Sequence, residues 1–506
     1  MPDTAAVAES IKSWTATQPR FAALLQAGSP APLALARWAL ELMRANQIPD
    51  ALAALRCALA LAPDNPVLWS DYGIALSQSN LSREAAACLE HSVTLLRHQP
   101  DSWLMLGLVR KKLGELAAAE SAYRVALEQD PHSNVAWQLL GVLKEEQKDF
   151  FGAIECLEFC LKGGRAQPAI QANLGKLHYQ LGQIAESDAA YAKAALLEPG
   201  NAHYRQMSRR TTFMREVLQG EPIETAMANY RNSFASAELC SEKDLMKLLD
   251  SAFALLSGFG HIEAAIRVGR KQIELWPANP SLRYLLRAVA GDPTIDRSPP
   301  EYIVEHFDTF AEGFDAQLVG NLGYDIPEKL CSAVRKITAS ENRYDILDAG
   351  CGTGLCGPLL RPISRVLTGV DLSSKMLEQA AAKGVYDALV REDLTAFFSH
   401  CTDHFDLIVA ADLMIYFGNL TPLFQAAETA LKPNGLFAFS TELWTGEGYR
   451  LLPSGRFAHA PQYVRSLARH AFEEILFAKT TVRLEATRRL PGNLFIFRRR
   501  ESASPR

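Results

Sequence analysis

A repeat with a period of 34 residues runs through the first part of this 506-residue chain. Glycine recurs once in each copy, at Gly73, Gly107, Gly141 and Gly175. Four residues before the first three glycines stand Trp69, Trp103 and Trp137. A small residue stands twelve and again nineteen residues after every glycine. One unit of this length cannot bury its apolar face alone, so the period predicts helical units that stack into a linear array.

The repeated unit fits two antiparallel helices joined by a turn, with small residues where the helices approach closely. An earlier copy keeps the same frame through Ala51, Leu55, Ala58 and Pro63. The pattern resembles the tetratricopeptide repeat (TPR) family over residues 32–199, in about five copies. The resemblance implies a superhelix whose groove binds a protein or an extended peptide. The fixed period of the tryptophans favours core positions for them over a ligand-binding role.

The regions around the repeats are assigned from weaker patterns. Residues 1–31 are predicted to be an N-terminal helical segment, and residues 200–290 further helices with a degenerate repeat and a capping helix. Glycine and proline in 291–300 predict a linker, because both residues interrupt regular structure. A second domain is predicted over 301–500, followed by a tail at 501–506.

Short apolar runs alternate with helical segments from residue 344 onward. Predicted strands cover 344–349, 366–371, 388–391, 405–411 and 435–441, and helical segments lie between them. This alternation predicts a parallel sheet with helices on both faces. Two later runs, 472–485 and 493–499, could pair as an antiparallel hairpin at the sheet edge. The predicted fold class is thus an all-α TPR superhelix followed by an α/β Rossmann-like domain with a seven-stranded, mostly parallel sheet.

The turn after the first predicted strand reads Asp348-Ala349-Gly350-Cys351-Gly352-Thr353-Gly354. Glycines let the backbone approach a ligand closely at the carboxyl end of a strand. The spacing is Gly-x-Gly-x-Gly, whereas the dinucleotide fingerprint is Gly-x-Gly-x-x-Gly. The Asp348 carboxylate would repel a pyrophosphate, but it suits a ligand that carries an ammonium group.

Two more acidic residues follow the next two predicted strands. Asp371 closes the second strand, where a carboxylate can accept hydrogen bonds from both hydroxyls of a ribose. Asp393 follows the third strand, where it can accept from an adenine amino group while Leu394 packs on the ring. A ligand that combines an ammonium group, a ribose and an adenine without phosphate is S-adenosylmethionine.

With these three motifs in order, residues 344–441 resemble a class I S-adenosylmethionine-dependent methyltransferase. The segments 302–315, 322–324 and 454–459, with Pro327 and Tyr463, extend the resemblance to a family of predicted methyltransferases fused to TPRs. The implied cofactor-binding residues are Asp348, Gly350, Cys351, Gly352, Thr353, Gly354, Asp371, Leu372, Asp393, Leu394 and Asp412. The aromatic residues Tyr302, Phe307, Phe310 and Phe314 could form a lid over the cofactor, part of an amphipathic helix packed on the sheet, or both.

The catalytic candidates are less well defined, because methyl transfer mainly requires alignment of donor and acceptor and exclusion of water. A base is needed only where the acceptor must lose a proton. Asp412 and Tyr416 follow the fourth strand and face the methyl group, or else support other residues of the site. His459 is either a base, a substrate contact or a surface residue, and Glu442 is a further candidate. Cys351 is interpreted as a small loop residue, and no metal site is predicted.

Composition limits the partners and the compartment. The net charge is −5, from 52 basic and 57 acidic residues, and neither half is basic, so no nucleic acid is expected. No membrane span or signal peptide is predicted. Nine cysteines without a Cys-x-x-Cys pair favour a reduced, cytoplasmic chain. Two functions stay open: methylation of a protein recruited by the repeats, or methylation of a metabolite or lipid precursor with the repeats used for assembly. A third interpretation is a non-catalytic TPR scaffold.

Overall fold

The computed structural model describes residues 4–26, 28–162, 167–234, 240–315, 324–338, 343–485 and 488–501. The chain divides into two compact units, Met1–Thr211 and Thr212–Arg506. The first unit is helical. Its helices are α1 (Thr4–Thr17), α2 (Pro19–Gln26), α3 (Ala31–Arg44), α4 (Ile48–Leu61), α5 (Pro66–Gln78), α6 (Ser82–Leu95), α7 (Pro100–Lys112), α8 (Leu116–Gln129), α9 (Asn134–Glu146), α10 (Phe150–Lys162), α11 (Pro168–Gln180) and α12 (Ile184–Leu197). The division falls within α13 (Ala202–Leu218).

The repeat glycines lie where paired helices approach most closely. A Cβ built on Gly107 in α7 would lie 2.4 Å from the Tyr123 ring in α8, and one on Gly175 in α11 would lie 2.7 Å from the Tyr191 ring in α12. Tyr123 and Tyr191 are buried. Glycine therefore makes room for a large core side chain from the partner helix, as the sequence pattern predicted.

The repeat tryptophans connect each first helix to the turn before it. The indole N–H of Trp69, Trp103 and Trp137 donates to the backbone carbonyl six residues earlier, at 2.7, 2.9 and 2.9 Å. Their rings are half-buried and pack against the core clusters of the unit. The period thus reflects a repeated structural hydrogen bond as well as packing.

The second unit begins with helices and continues as an α/β domain. Its helices after α13 are α14 (Ile223–Asn232), α15 (Glu242–Gly258), α16 (Ile262–Leu275), α17 (Pro280–Val289), α18 (Pro300–Phe310), α19 (Ile326–Ile337), α20 (Gly357–Leu360), α21 (Ser374–Ala382), α22 (Leu394–Phe398), α23 (Thr421–Ala430) and α24 (Pro461–Ala468). Its strands are β1 (Tyr344–Ala349), β2 (Ser364–Asp371), β3 (Ala388–Arg391), β4 (Phe405–Ala410), β5 (Leu431–Leu443), β6 (Tyr449–Leu451), β7 (Phe457–His459), β8 (Phe472–Glu485) and β9 (Arg488–Arg499).

These strands form one sheet in the described part of the chain, with the order β3-β2-β1-β4-β5-β7-β6. Neighbours from β3 to β7 are parallel, and β9 pairs antiparallel with both β5 and β8. The predicted fold class is confirmed. The seven predicted strands are all present. The structure adds β6 and β7, which have three residues each and are too short to show a strand pattern in the sequence.

The carboxyl ends of β1, β2, β3 and β4 meet at one edge because these strands are parallel neighbours. The chain order reverses direction between β1 and β4, which is where ligands bind in open α/β sheets. Buried apolar residues cover both faces of the central strands. The topology therefore places all three predicted motifs around one point.

The segment 291–300, predicted to be a linker, packs against the α/β domain. Ser298 donates from its backbone N–H to the Tyr416 carbonyl at 2.8 Å, and the backbone N–H of Gly418 donates to the Asp296 carbonyl at 2.7 Å. The Tyr284 hydroxyl in α17 lies 2.7 Å from the Ser298 hydroxyl and donates to the Gly455 carbonyl at 2.7 Å. Residues 322 and 323 of the predicted motif 322–324, and residues 502–506 of the predicted tail, lie outside the described residues.

None of the described helices is both long enough and apolar enough to cross a bilayer.

Substitution of the repeat glycines should have position-dependent effects on stability. Gly107→Ala should destabilise the protein, because overpacking a core costs about 1–3 kcal/mol and exceeds the ~1 kcal/mol that alanine gains over glycine in a helix. Gly141→Ala is the matched control, since a Cβ there meets its nearest neighbour, Cys156 Cβ, at 3.4 Å. Urea unfolding of both variants measures the difference. Equal stability of the two variants would contradict this account of the glycine.

Candidate active site

A cavity of about 330 Å³ lies at the carboxyl ends of β1, β2 and β4. Its walls include the glycine loop after β1, the residues that follow β2, β3 and β4, and aromatic residues of α18. Of the predicted site residues, those that line it are Asp348, Gly350, Cys351, Gly352, Thr353, Asp371, Leu372, Asp393, Leu394, Asp412 and Tyr416. The fold therefore gathers most of the candidates in one place.

The glycine loop has a backbone that only glycine adopts easily. Gly350, Gly352 and Gly354 have φ angles of +68°, +53° and +83°. The N–H groups of Gly350 and Cys351 both donate to the Val370 carbonyl of β2, at 2.9 and 3.0 Å. The loop is thereby held against the neighbouring strand with its backbone facing the cavity. Burial raises the pKa of the Cys351 thiol, which agrees with a structural role rather than a nucleophilic one.

Asp371 connects the loop to the next helix. Its carboxylate accepts hydrogen bonds from the backbone N–H of Gly352 and of Ser373, both at 2.9 Å. Burial raises the pKa of Asp371, and these backbone hydrogen bonds oppose the increase. The side chain lines the cavity, so its oxygens are held in position to accept further hydrogen bonds from a ligand.

Asp348 is a buried carboxyl group at the end of β1. It is 1% exposed, and its Oδ2 accepts a hydrogen bond from the Tyr386 hydroxyl at 2.6 Å. Burial raises the pKa of Asp348 to about 7, against the lowering effect of the Tyr386 hydrogen bond; the nearby Asp371 charge adds to the increase. A cationic group in the cavity would stabilise the ionised form.

Asp393 has two partners that the sequence did not indicate together. Its Oδ1 accepts from the backbone N–H of Thr395 at 3.0 Å and so caps α22, while its Oδ2 forms an ion pair with Arg297. Burial raises the pKa of Asp393, but the bonds from Thr395 and Arg297 outweigh it and the net pKa is lowered. Arg297 also lies over the Phe417 ring at 4.8 Å. The adenine end of the predicted site therefore has a cation–aromatic wall.

The residues present fit S-adenosylmethionine. The loop backbone approaches the cavity without side chains, and Asp371 offers oriented acceptors of the kind that ribose hydroxyls require. Asp348 supplies a buried carboxylate for an ammonium group, and Leu394 supplies an apolar contact beside Asp393. A phosphate-bearing ligand would meet three carboxyl groups at the same edge.

Asp412 lies in a strained backbone conformation at the end of β4. Its φ angle is +53°, its backbone N–H donates to Ser440 Oγ at 2.8 Å, and Ser440 Oγ donates to Asp412 Oδ1 at 3.0 Å. Burial raises the pKa of Asp412 to about 6, although the charge of Arg483 and the Ser440 bond lower it. Strain of this kind is common where a side chain must point into a site.

Tyr416 is buried in the short 3-10 helix Met414–Tyr416 and lines the cavity. Burial raises its pKa to about 12, so its hydroxyl is protonated at neutral pH and can donate a hydrogen bond. Its ring lies 5.7 Å from that of Phe307 on α18. Tyr302 is buried in the core, whereas Phe307, Phe310 and Phe314 line the cavity. The aromatic segment is thus both core and cavity wall.

His459 and Glu442 are placed differently from Asp412 and Tyr416. His459 is fully buried in β7, its Nε2 lies 2.8 Å from the Phe417 carbonyl, and burial lowers its pKa to about 4. Neither it nor Glu442 is among the described residues that line the cavity. Glu442 forms a buried ion pair with Arg483, Oε1 to Nη2 at 2.6 Å. These contacts favour structural roles for both residues.

Three arginine side chains at the cavity were not among the predicted site residues. Arg483 of β8 and Arg456 of the β6–β7 turn line the cavity on the side of Tyr416. Arg297 lines it beside Asp393. Arg297 and Arg483 belong to no predicted motif, whereas Arg456 lies in the segment 454–459 that extends the family resemblance. Groups of three or more potential metal ligands were not found among the described residues.

The carboxylates of Asp308 and Asp315 connect α18 and the residues after it to the glycine loop and to the start of α21. Asp308 of α18 accepts from the Ser373 hydroxyl. Asp315 accepts from the Thr353 hydroxyl and, at 2.9 Å, from Lys383 Nζ. The aromatic wall is therefore fixed to both the glycine loop and α21.

Comparison with known protein families agrees with this architecture. Residues 322–478 match the model described as a methyltransferase domain. Residues 100–133 and 168–201 match the model described as a tetratricopeptide repeat. The chain therefore joins tetratricopeptide repeats to a class I methyltransferase domain. Domains of this class use S-adenosylmethionine as the methyl donor.

Similarity to curated proteins is confined to part of the chain. The biotin biosynthesis bifunctional protein BioHC of Saccharophagus degradans is 32% identical over 148 residues, which are 28% of this chain and 24% of that protein. A ubiquinone biosynthesis O-methyltransferase of Haemophilus ducreyi is 25% identical over 118 residues, 22% of this chain and 50% of that protein. The chain spans between a quarter and about three fifths of the length of the curated relatives it matches.

Solved structures resemble each half separately. The N-methyltransferase NodS from Bradyrhizobium japonicum, in complex with S-adenosylhomocysteine, is 17% identical, with 39% of this chain and 99% of that chain covered and a TM-score of 0.33. The C-terminal part of a TPR repeat-containing protein from Cytophaga hutchinsonii is 15% identical, with 49% and 97% covered and a TM-score of 0.35.

The raised pKa of Asp412 should make stability depend on pH. Its pKa rises on folding from 3.8 to about 6, so its contribution to stability is present below about pH 4 and is lost as pH rises through 6. Asp412→Asn removes this ionisation and should reduce the fall in thermal midpoint between about pH 4 and 7. Glu378→Gln, an exposed change of equal charge on α21, is the control. If the fall in midpoint were the same in Asp412→Asn and the control, the assigned shift would be wrong.

Proposed function

We propose that this chain is an S-adenosylmethionine-dependent methyltransferase whose repeats bind a protein substrate or partner. The observation that carries the catalytic part is the joint placement of the glycine loop, Asp371 and Asp348 around one cavity. The matched methyltransferase family supports the same activity. The repeat family supports the protein partner.

S-adenosylmethionine would supply an activated methyl group on a sulfonium sulfur. In this proposal the glycine loop and Asp348 hold its amino-acid end, Asp371 orients the ribose, and Leu394 with Asp393 contacts the adenine. The aromatic residues of α18 exclude water from the reacting atoms. The chain thus contributes alignment more than chemical groups.

Asp412 and Tyr416 are proposed to contact the acceptor. Both line the cavity at the end of β4, and Asp412, with its pKa raised to about 6, is ionised at neutral pH. An acceptor that must lose a proton would find a base there, whereas one that is already nucleophilic would need only orientation. His459 is not proposed as a base, because it is fully buried and does not line the cavity.

A small-molecule acceptor is the second candidate. The cavity is small, largely apolar and covered by aromatic side chains, which suits a metabolite or a lipid precursor. Several partial relatives are named ubiquinone biosynthesis O-methyltransferases, and ubiquinone is a small molecule. In this alternative the repeats mediate assembly.

Removing the Asp371 carboxylate should abolish cofactor binding. Asp371→Ala loses the ribose acceptors and releases the Gly352 N–H, so calorimetry with S-adenosylhomocysteine should show at least a hundredfold loss of affinity, since two or more hydrogen bonds to a charged group are removed. Glu378→Ala, on the helix that follows, removes one exposed carboxylate and should bind as wild type. Unchanged affinity of Asp371→Ala in a folded protein would refute the assigned site.

The acceptor class can be decided by transfer of label. Full-length protein and radiolabelled S-adenosylmethionine are added to a lysate from cells that lack the protein, with Asp371→Ala as the inactive control. Label in a protein band supports the recruited protein substrate, and label in the small-molecule fraction supports the alternative. Equal labelling by wild type and the control would speak against both.

A further inference from the structure

We propose that Tyr386 is a positioning residue for cofactor binding: its hydroxyl fixes the Asp348 carboxylate in the orientation that receives the ammonium group of S-adenosylmethionine. The inference rests on the proposed function and adds a residue that neither the motif pattern nor the family resemblance indicated. Tyr386 is in the turn between α21 and β3, 38 residues after Asp348.

The geometry of the pair is specific. The Tyr386 hydroxyl donates to Asp348 Oδ2 at 2.6 Å, and Asp348 is 1% exposed yet lines the cavity. Asp348 Oδ1 has no hydrogen-bond partner among the described residues. One oxygen of the carboxylate is therefore held by the phenol, and the other is left for a donor in the cavity.

The backbone around the ring is shaped to admit it. A Cβ built on Gly357 would lie 2.8 Å from the Tyr386 ring, one on Gly354 would lie 3.0 Å away, and one on Gly369 would lie 3.1 Å away. A side chain at any of these three positions would come close to the ring, so Gly354 of the loop, Gly357 of α20 and Gly369 of β2 leave space for it. The half-buried ring packs against three backbone segments, which hold its hydroxyl near one position, so the carboxylate is oriented before the ligand arrives.

The electrostatics make the hydroxyl a constant donor. Burial raises the pKa of Tyr386 far above its ordinary value, so the phenol does not ionise at neutral pH. The other titratable groups that interact with Asp348 are Asp371, Cys351 and Cys356. The two thiols have raised pKa values and stay neutral, and the Asp371 charge opposes ionisation of Asp348. Among these interactions, the hydrogen bond from Tyr386 is the one that lowers the pKa of Asp348 and so favours the ionised carboxylate.

The test is the pH profile of S-adenosylhomocysteine binding, measured by calorimetry on the full chain. This ligand keeps the ammonium group and cannot react. With the pKa of Asp348 at about 7, wild-type affinity should rise about tenfold between pH 6 and pH 8. Tyr386→Phe keeps the ring and loses only the hydroxyl. A further pKa increase of about one unit for Asp348 would make this variant about tenfold weaker than wild type at pH 6 but only about twofold weaker at pH 8.

Controls separate positioning from general loss of structure. Tyr449→Phe changes a half-buried tyrosine outside the cavity lining and should leave the profile unchanged. In an Asp348→Asn background, Tyr386→Phe should no longer change the pH dependence, because the two residues act as a pair. Should Tyr386→Phe fail to fold, 3-fluorotyrosine at position 386, a stronger donor, should move the wild-type midpoint to lower pH.

The outcomes distinguish this inference from the proposed function. A Tyr386→Phe profile that coincides with wild type, or that is weaker by one factor at both pH values, would overturn the positioning role while cofactor binding stands. If wild-type protein binds no S-adenosylhomocysteine at either pH, the proposed function fails and the inference fails with it.

Discussion

The Asp371 carboxylate joins two pieces of backbone that enclose the cofactor edge of the sheet. It accepts from Gly352 in the loop after β1 and from Ser373 at the start of α21. Because β1 and β2 are parallel neighbours, their ends lie close enough for one side chain to reach both. The left-handed loop conformation, the start of the helix and the floor of the cavity all depend on this contact. The residue proposed to bind the ribose thus also shapes the site before a ligand binds.

Four buried or half-buried carboxyl groups of this domain fall into two kinds. Asp393 with Arg297 and Glu442 with Arg483 are ion pairs in which each carboxylate has its cation. Asp348 and Asp412 instead have neutral hydrogen-bond donors and pKa values raised by burial to about 7 and 6. Buried carboxyl groups with raised pKa values are costly to the fold and are characteristic of binding and catalytic sites. These two carboxyl groups lie beside the glycine loop and at the end of β4, where the proposed methyl donor and its acceptor would meet.

The sequence predicted what depends on local pattern and failed on what depends on distant contact. The repeat period, the strands from Tyr344 onward and the glycine loop follow from periodicity and spacing, and the structure reproduces them. Arg297 meets Asp393 across 96 residues and Arg483 meets Glu442 across 41, with no motif to connect them. His459 looked like a polar residue before a helix. His459 is buried because it lies in the short β6–β7 pair, and strands of three residues leave no recognisable pattern in the sequence.

The docking of residues 291–300 has a consequence for how such chains evolve. Arg297 from this segment pairs with Asp393 at the cavity wall, and Tyr284 of α17 donates a hydrogen bond to Gly455 in the turn before β7. A recombination event that joined a different helical array at residue 301 would discard both contacts and leave Asp393 without its cation. The usual picture of interchangeable modules therefore does not apply at this junction. We therefore expect α17, residues 291–300 and the α/β domain to be inherited together in related proteins.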